Sequence, residues 1–288
     1  MIDIFIPTYN RKELKCLSLL KDTNVRLNLC VRHSAIESNF YDFCKHQNVR
    51  LVDIGKPRDI GCTRRNILDY CFVHHIKYCI MLDDTVSNIY STENSMSISE
   101  CLNNIIHYMS TNDYADLSAI FALSTENRKH HAFIDNGYFY HCPVQGFVIN
   151  VPLVYKHHIT FKSLRECGSE DMAFFIDTIK AGLITCTNTK INMSVDTPMK
   201  KKQGGTHNNN ALSVEKRNDI MTTQLRKYIG NMYGVYFTKR YRHQIEDDVC
   251  FTAFDYDYFI DVLIKYRNEN KNIIDSQFKI KEEHYNEI

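Results

Sequence analysis

Two pairs of adjacent carboxylates, Asp83-Asp84 and Glu170-Asp171, are the residues of this sequence best suited to chemistry. The first pair closes the apolar run Tyr78-Cys79-Ile80-Met81-Leu82 and precedes Thr85. A run this short, stopped abruptly by acids, reads as a buried strand that delivers them to a sheet edge. In open α/β sheets ligands sit outside the carboxyl ends of the strands, and two neighbouring carboxylates there must hold a cation or a proton. A metal-bound phosphate compound suits such an edge; an acidic strand-to-turn junction without a ligand is the alternative. The second pair follows Gly168-Ser169, with Ser169 expected to cap a helix that carries Met172, Phe175, Ile176 and Ile179 on its apolar side and ends at Gly182. Glu170 and Asp171 then fall in the first turn, where the helix dipole favours acids for purely structural reasons.

The elements that must position these acids follow from periodicity. Ile2 to Ile6 is a short apolar strand stopped by Pro7, followed by Thr8-Tyr9-Asn10-Arg11 and a helical pattern of Leu14, Leu17 and Leu20. Val25 to Val31 and Val49 to Ile54 are predicted strands, with a helix marked by Phe40 and Phe43 between them. Gly61-Cys62-Thr63-Arg64-Arg65-Asn66 opens a helix through Ile67, Leu68 and Cys71. Ser97 and Ser99 start another through Leu102, Ile105, Ile106 and Met109, and Asp116 to Leu123 reads as a strand. In the predicted strand Val144 to Asn150, Gly146 permits close backbone approach, as at a sugar-binding edge or a β-bulge. Leu183 to Cys186 is a further strand, and Thr197 to Asn208 is a polar loop that holds Lys200, Lys201, Lys202 and His207. Alternating strands and helices predict an α/β domain with a mostly parallel sheet and right-handed crossovers. Beyond it, helices at 212–229 and 254–266 and a strand at 233–237 predict a mainly helical extension.

Composition bounds the function. The 288 residues are 44% hydrophobic, enough for a substantial core. The start Met1-Ile2-Asp3-Ile4 has no signal-peptide pattern and no apolar run approaches spanning length, so the expectation is a cytoplasmic protein with no membrane partner. Eleven cysteines without a CxxC pair fit reduced thiols. The adjacent pairs His74-His75, His130-His131 and His157-His158 point to different faces of any regular element and are read as incidental. Net charge is +1, yet Lys200 to Gln244 holds ten basic and two acidic residues, leaving 25 basic against 32 acidic elsewhere. Such a block suits phosphate-bearing ligands or a solvated helix face.

Pro7-Thr8-Tyr9-Asn10-Arg11 after the first strand, the Gly61 to Asn66 helix start and the strand ending in Asp83-Asp84 together resemble the nucleotide-sugar half of a GT-A glycosyltransferase of the family-two type, over approximately residues 2 to 207. The resemblance implies a Rossmann-like sheet with helices on both faces, a catalytic domain at 1–210 and an extension at 211–288 packed on it. It implies that Pro7, Thr8, Tyr9, Arg11, Arg65, Asp83, Gly146 and Lys202 bind the nucleotide sugar. It further implies that Asp84 and His207 hold a divalent Mn²⁺ or Mg²⁺, that Asp171 is the general base and that Glu170 orients hydroxyls. Thr85 stands where a further carboxylate often sits, and Arg32-His33-Ser34 replaces an acid many relatives place near the base.

The combination of the Ile4 to Arg11 start, the Gly168 to Met172 helix and the lysine-rich loop also resembles, more loosely, bacteriophage glycosyltransferases that transfer glucose or arabinose to hydroxymethylated cytosine in DNA. That implies a metal-dependent, inverting transfer from a UDP-sugar to the hydroxymethyl group, or to a sugar already on it, with double-stranded DNA as partner. Lys239, Arg240 and Arg242 are the candidate DNA contacts. The alternatives are a bacterial surface-polysaccharide glycosyltransferase, a catalytically silent nucleotide-sugar binding module and a sugar nucleotidyltransferase, although the last lacks its glycine-rich loop between Ile6 and Leu14.

Overall fold

A computed structural model describes residues 1–8, 11, 13–33, 46–125, 133–135, 138–140, 145–196, 220, 223–224, 227–228, 237–243, 248–254, 265 and 269. Tyr9, Lys202, His207 and the segment of Phe40 and Phe43 lie outside them.

Among the described residues, the central sheet has nine strands: β1 (Ile2–Pro7), β2 (Val25–Val31), β3 (Val49–Asp53), β4 (Tyr78–Leu82), β6 (Ser118–Ala122), β7 (Phe133–Asp135), β8 (Tyr138–Tyr140), β9 (Gly146–Asn150) and β10 (Ile184–Asn188). Their order is β3-β2-β1-β4-β9-β6-β10-β8-β7. The pairings β1–β2, β2–β3, β1–β4 and β6–β10 are parallel. Strand β9 is antiparallel to both β4 and β6, and β8 to both β10 and β7, so seven of the nine run one way. The protein is thus α/β with a mostly parallel sheet, as predicted. A second sheet pairs β5 (Val86–Ser91) with β11 (Ile191–Val195) directly after the first acid pair. Neither strand was legible in advance, because each mixes short polar residues with isolated apolar ones and so resembles loop: β5 buries only Val86 and Ile89, and β11 buries Asn192 between Ile191 and Met193.

Side chains alternate between two cores. Ile4, Ile6, Ile80 and Leu82 pack into one, with helices α2 (Ile98–Thr111) and α5 (Glu170–Lys180). Phe5, Cys79 and Met81 enter the other, with α1 (Ile60–Val73) and α3 (Val151–Lys156). Burial on both faces is why these strands read as continuous apolar runs. Phe5, Phe121, Phe147, Phe161, Phe174 and Phe175 are fully buried, each contributing about 1.5–3 kcal/mol over exposure.

Between β1 and β2 the predicted α-helix is a 3-10 helix, Lys15–Lys21. Its buried residues are Cys16 and Leu19, three apart, which is the repeat that eclipses in this tighter helix. Helix α2 starts with a capping box between Ser97 and Glu100. In the extension, residues 220, 223, 224, 227, 228, 265 and 269 are helical, and Tyr228 packs half-buried on the first core with its hydroxyl bonded to Asp177 of α5. The extension also holds an antiparallel hairpin of β12 (Phe237–His243) and β13 (Asp248–Phe254). The sequence reading placed only a short strand at 233–237, since the basic residues mask the period-two pattern.

Candidate active site

The site gathers where β1 and β4 end and where α1 and α5 begin. Backbone geometry fixes the first acid pair: the Asp83 amide donates to the Gln145 carbonyl at 2.8 Å, and the Asp83 carbonyl accepts from Val86 at 3.1 Å, turning the chain into β5. Gly146, opposite Leu82 in register, is needed for packing. A Cβ there would lie 2.8 Å from Leu82 Cδ2 and 3.0 Å from Met193 Sδ, so the missing side chain lets β9 approach β4 beneath the second sheet.

Asp84 faces the β1 loop. Arg11 grips it with both arms of the guanidinium, Nε to Oδ2 at 2.7 Å and Nη2 to Oδ1 at 3.0 Å. Burial raises the Asp84 pKa, and the Arg11 bonds oppose that rise. The hydroxyl of Thr8, a residue only 5% exposed, has no hydrogen-bond partner of good geometry among the described residues, yet lies near enough to favour ionised Asp84. Pro7 ends β1 opposite Cys30, and the Thr8 amide bonds to the Cys30 carbonyl at 3.2 Å.

The second acid pair reaches the first through a residue the sequence reading passed over. Arg64, 3% exposed, donates from Nη2 to Asp83 Oδ1 at 2.8 Å and from Nη1 to Glu170 Oε1 at 3.0 Å. Its guanidinium carbon stands 5.2 Å from the Phe147 ring centre and 6.0 Å from that of Phe161. Burial works against its charge, but Asp83, Glu170 and Asp171 outweigh burial and hold its pKa above the ordinary value. Burial likewise raises Asp83 against the pull of Arg64. Burial and then the neighbouring Asp171 push Glu170 up to about 7, again against Arg64. Arg65, the sequence candidate, is half-buried one position on, with Nη2 3.7 Å from Cys62 Sγ.

Ser169 precedes α5 but does not cap it with its side chain. Its hydroxyl donates instead to Asp171 Oδ1 at 2.6 Å, and the Met172 amide donates to the same oxygen at 2.8 Å. Asp171 Oδ2 takes no hydrogen bond from the described residues. One carboxylate oxygen is therefore anchored, while the half-buried group keeps the other available to accept a proton.

For a divalent ion, Asp84 and Thr8 offer hard oxygen donors of the right type. Both Asp84 oxygens are held by Arg11, so an ion would have to displace that guanidinium. Among the described residues, no group of three or more His, Cys, Asp or Glu side chains is placed to hold a metal. Lys239, Arg240 and Arg242 lie along β12, paired with Thr252, Phe251 and Val249. Among the described residues no helix is long and apolar enough to cross a membrane.

No family model matches the chain, and no curated protein matches it. Among solved structures, Staphylococcus aureus TarS 1-349 in complex with UDP-GlcNAc aligns with TM-score 0.47 and 13% identity over 80% of this chain, which spans 66% of that one. A UDP-glucose pyrophosphorylase complexed with UDP-glucose aligns at 0.43 and 8% over 79% of this chain and 100% of its own. A mutant Drosophila β1,4-galactosyltransferase 7 in complex with manganese, UDP-Gal and xylobiose aligns at 0.37 and 11%, over 90% and 96% of the two chains. The fold assignment here rests on the sheet topology itself.

Proposed function

We propose that the protein is a GT-A-type glycosyltransferase that moves a sugar from a nucleoside diphosphate donor, favoured as a UDP-sugar, to a hydroxyl. The observation that carries this reading is Arg64, which joins Asp83 to Glu170 and brings the two acid pairs into one site at the carboxyl edge of the sheet. Asp83 serves the ribose side, Arg11 meets the diphosphate, and Arg65 and Thr8 line the same edge. The bond from the anomeric carbon to the diphosphate oxygen breaks as the acceptor oxygen attacks, and the acceptor proton passes to Asp171. A base in that position contributes about 10² to 10⁴-fold. Attack opposite the leaving group inverts the anomeric centre. Glu170, close to neutrality in its titration, orients hydroxyls by donating or accepting a hydrogen bond.

A divalent Mn²⁺ or Mg²⁺, held by Asp84 and by His207 from the sequence beyond β11, would offset charge on the departing diphosphate when bound. Lys202 supports the same role. The basic block from Lys200 to Gln244 supports a polyanionic acceptor, which we take to be hydroxymethylated cytosine in double-stranded DNA or a sugar already attached to it. Its hydroxyl projects into the major groove. A second reading, a silent nucleotide-sugar binding module, draws support from the Arg11 grip on both Asp84 oxygens.

The test is to incubate the protein with radiolabelled UDP-sugars, Mn²⁺ and hydroxymethylcytosine DNA. Label in the DNA is expected. Label in a lipid extract would transfer the reading to surface polysaccharide synthesis, and donor binding without turnover on any acceptor would favour the silent module.

A further inference from the structure

The start of α1 is fastened to the segment preceding α5 at successive points. Asp59 caps α1 through Oδ1, which accepts from the Cys62 amide at 2.9 Å. Its other oxygen accepts from Ser163 Oγ at 2.6 Å and from the Leu164 amide at 3.1 Å, at the opening of the short helix α4 (Leu164–Cys167). Gly61 makes this approach possible, since a Cβ there would stand 1.9 Å from the Lys162 carbonyl oxygen and 3.1 Å from Glu170 Cβ. Arg64 then supplies the third contact, one turn along, to Glu170.

Arg64 itself is buried and engaged by the protein. Both terminal nitrogens bond to carboxylates, the guanidinium lies beside Phe147 and Phe161, and its Nε is buried with no partner among the described residues. Three carboxylates, Asp83, Glu170 and Asp171, surround this one cation. We infer that Arg64 is a positioning residue: its fork fixes the spacing between the nucleotide-side acids of β4 and the proton-accepting turn of α5 without touching substrate. The inference rests on the nucleotide-sugar reading for its catalytic consequence, but not for its geometry. Lysine cannot replace it, because an ammonium is a point charge and lacks the planar fork that reaches two acids at once. Without the fork, Glu170 and Asp83 repel, the first turn of α5 shifts, and Asp171 leaves its place; a displacement of about 1 Å costs roughly 100-fold in rate.

The experiment combines two readouts on Arg64→Met and Arg64→Lys. With UDP and UDP-glucose as probes, both variants should keep the Kd for UDP within about threefold while the rate of UDP release falls roughly 100-fold. A UDP affinity that falls in step with the rate would make Arg64 a direct donor contact, and an unchanged rate would also overturn the proposal. The second readout is a melting cycle that needs no substrate. Glu170→Gln removes the charge that Arg64→Met leaves uncompensated, so the double variant should melt above Arg64→Met alone. Additive losses would overturn the bridge. Should Arg64→Met fail to fold, the cycle is run on Arg64→Gln, which is equally uncharged, with the same criterion. A wild-type protein that binds no UDP would count against the nucleotide-sugar reading alone, with the melting cycle then deciding the bridge.

Discussion

Arg64 and Glu170 lie 106 positions apart in the chain, yet an Nη1–Oε1 hydrogen bond of 3.0 Å joins them in a nearly dry pocket. Breaking such a pair from one side leaves an uncompensated buried charge, at roughly 3–5 kcal/mol. Helix α1 can place Arg64 there because Gly61, Arg64, Ile67, Leu68 and Cys71 share its buried stripe, with Arg64 filling a position where an apolar residue would ordinarily sit.

Glu170 makes the fold sensitive to pH. Its folded pKa of about 7 stands above the ordinary 4.5, so the folded state favours the protonated acid. That contribution is fully present below pH 4.5 and is lost as pH rises through about 7. The melting temperature of the wild type should therefore decline across this window, and Glu170→Gln, which stays neutral, should flatten the decline. Thermal melts from pH 4 to 8.5 check this, and equal slopes for both proteins would contradict it.

Arg11 competes with any metal for Asp84. A charge-assisted pair of this kind contributes about 1.5–3 kcal/mol, and about 1.4 kcal/mol is tenfold in affinity. Arg11→Ala should accordingly bind Mn²⁺ at least about tenfold more tightly than the wild type in the absence of nucleotide. Adding Asp84→Asn should abolish the gain. Titration followed by the electron paramagnetic resonance of free Mn²⁺ measures both, and equal affinities for wild type and Arg11→Ala would show that the guanidinium does not compete.

The hairpin supplies a test of the DNA acceptor. Lys239, Arg240 and Arg242 lie on one strand of the hairpin, β12. If this strand follows the DNA backbone, replacing all three by Gln should reduce the slope of log K against log salt by roughly 0.9 for each phosphate that the hairpin no longer neutralises. Filter binding of duplex DNA across a salt series reads this out, and an unchanged slope removes the hairpin from the DNA surface.

Much of the scaffold was legible from apolar patterning: Tyr78–Leu82, buried on both faces, leaves an apolar run, while Val25–Val31 alternates apolar and polar residues, and both are the predicted spans. Ser97 and Asp171 were placed correctly at helix starts by capping and dipole logic. The second sheet was not, since β5 reads Val-Ser-Asn-Ile-Tyr-Ser and buries only Val86 and Ile89. At the site, the acids were visible as pairs, but pairing across the fold was not. Arg11 appeared as a phosphate contact rather than the partner of Asp84, and two adjacent arginines gave no reason to choose Arg64 over Arg65 until the buried stripe of α1 was followed from Gly61. Ser169 was expected as a cap, whereas its hydroxyl donates to Asp171 Oδ1 two positions on, and its oxygen accepts no amide of the first turn.

The most direct test compares wild type with Asp171→Asn, measuring UDP affinity by calorimetry and transfer of label from UDP-glucose to hydroxymethylcytosine DNA. The asparagine keeps the shape of the group but cannot take up the acceptor proton. UDP affinity should be unchanged within about threefold, while transfer should fall by about 10² to 10⁴-fold. Transfer at the wild-type rate by Asp171→Asn would contradict the assignment of this carboxylate as the base and, with it, the pairing of the two acid pairs as one catalytic site.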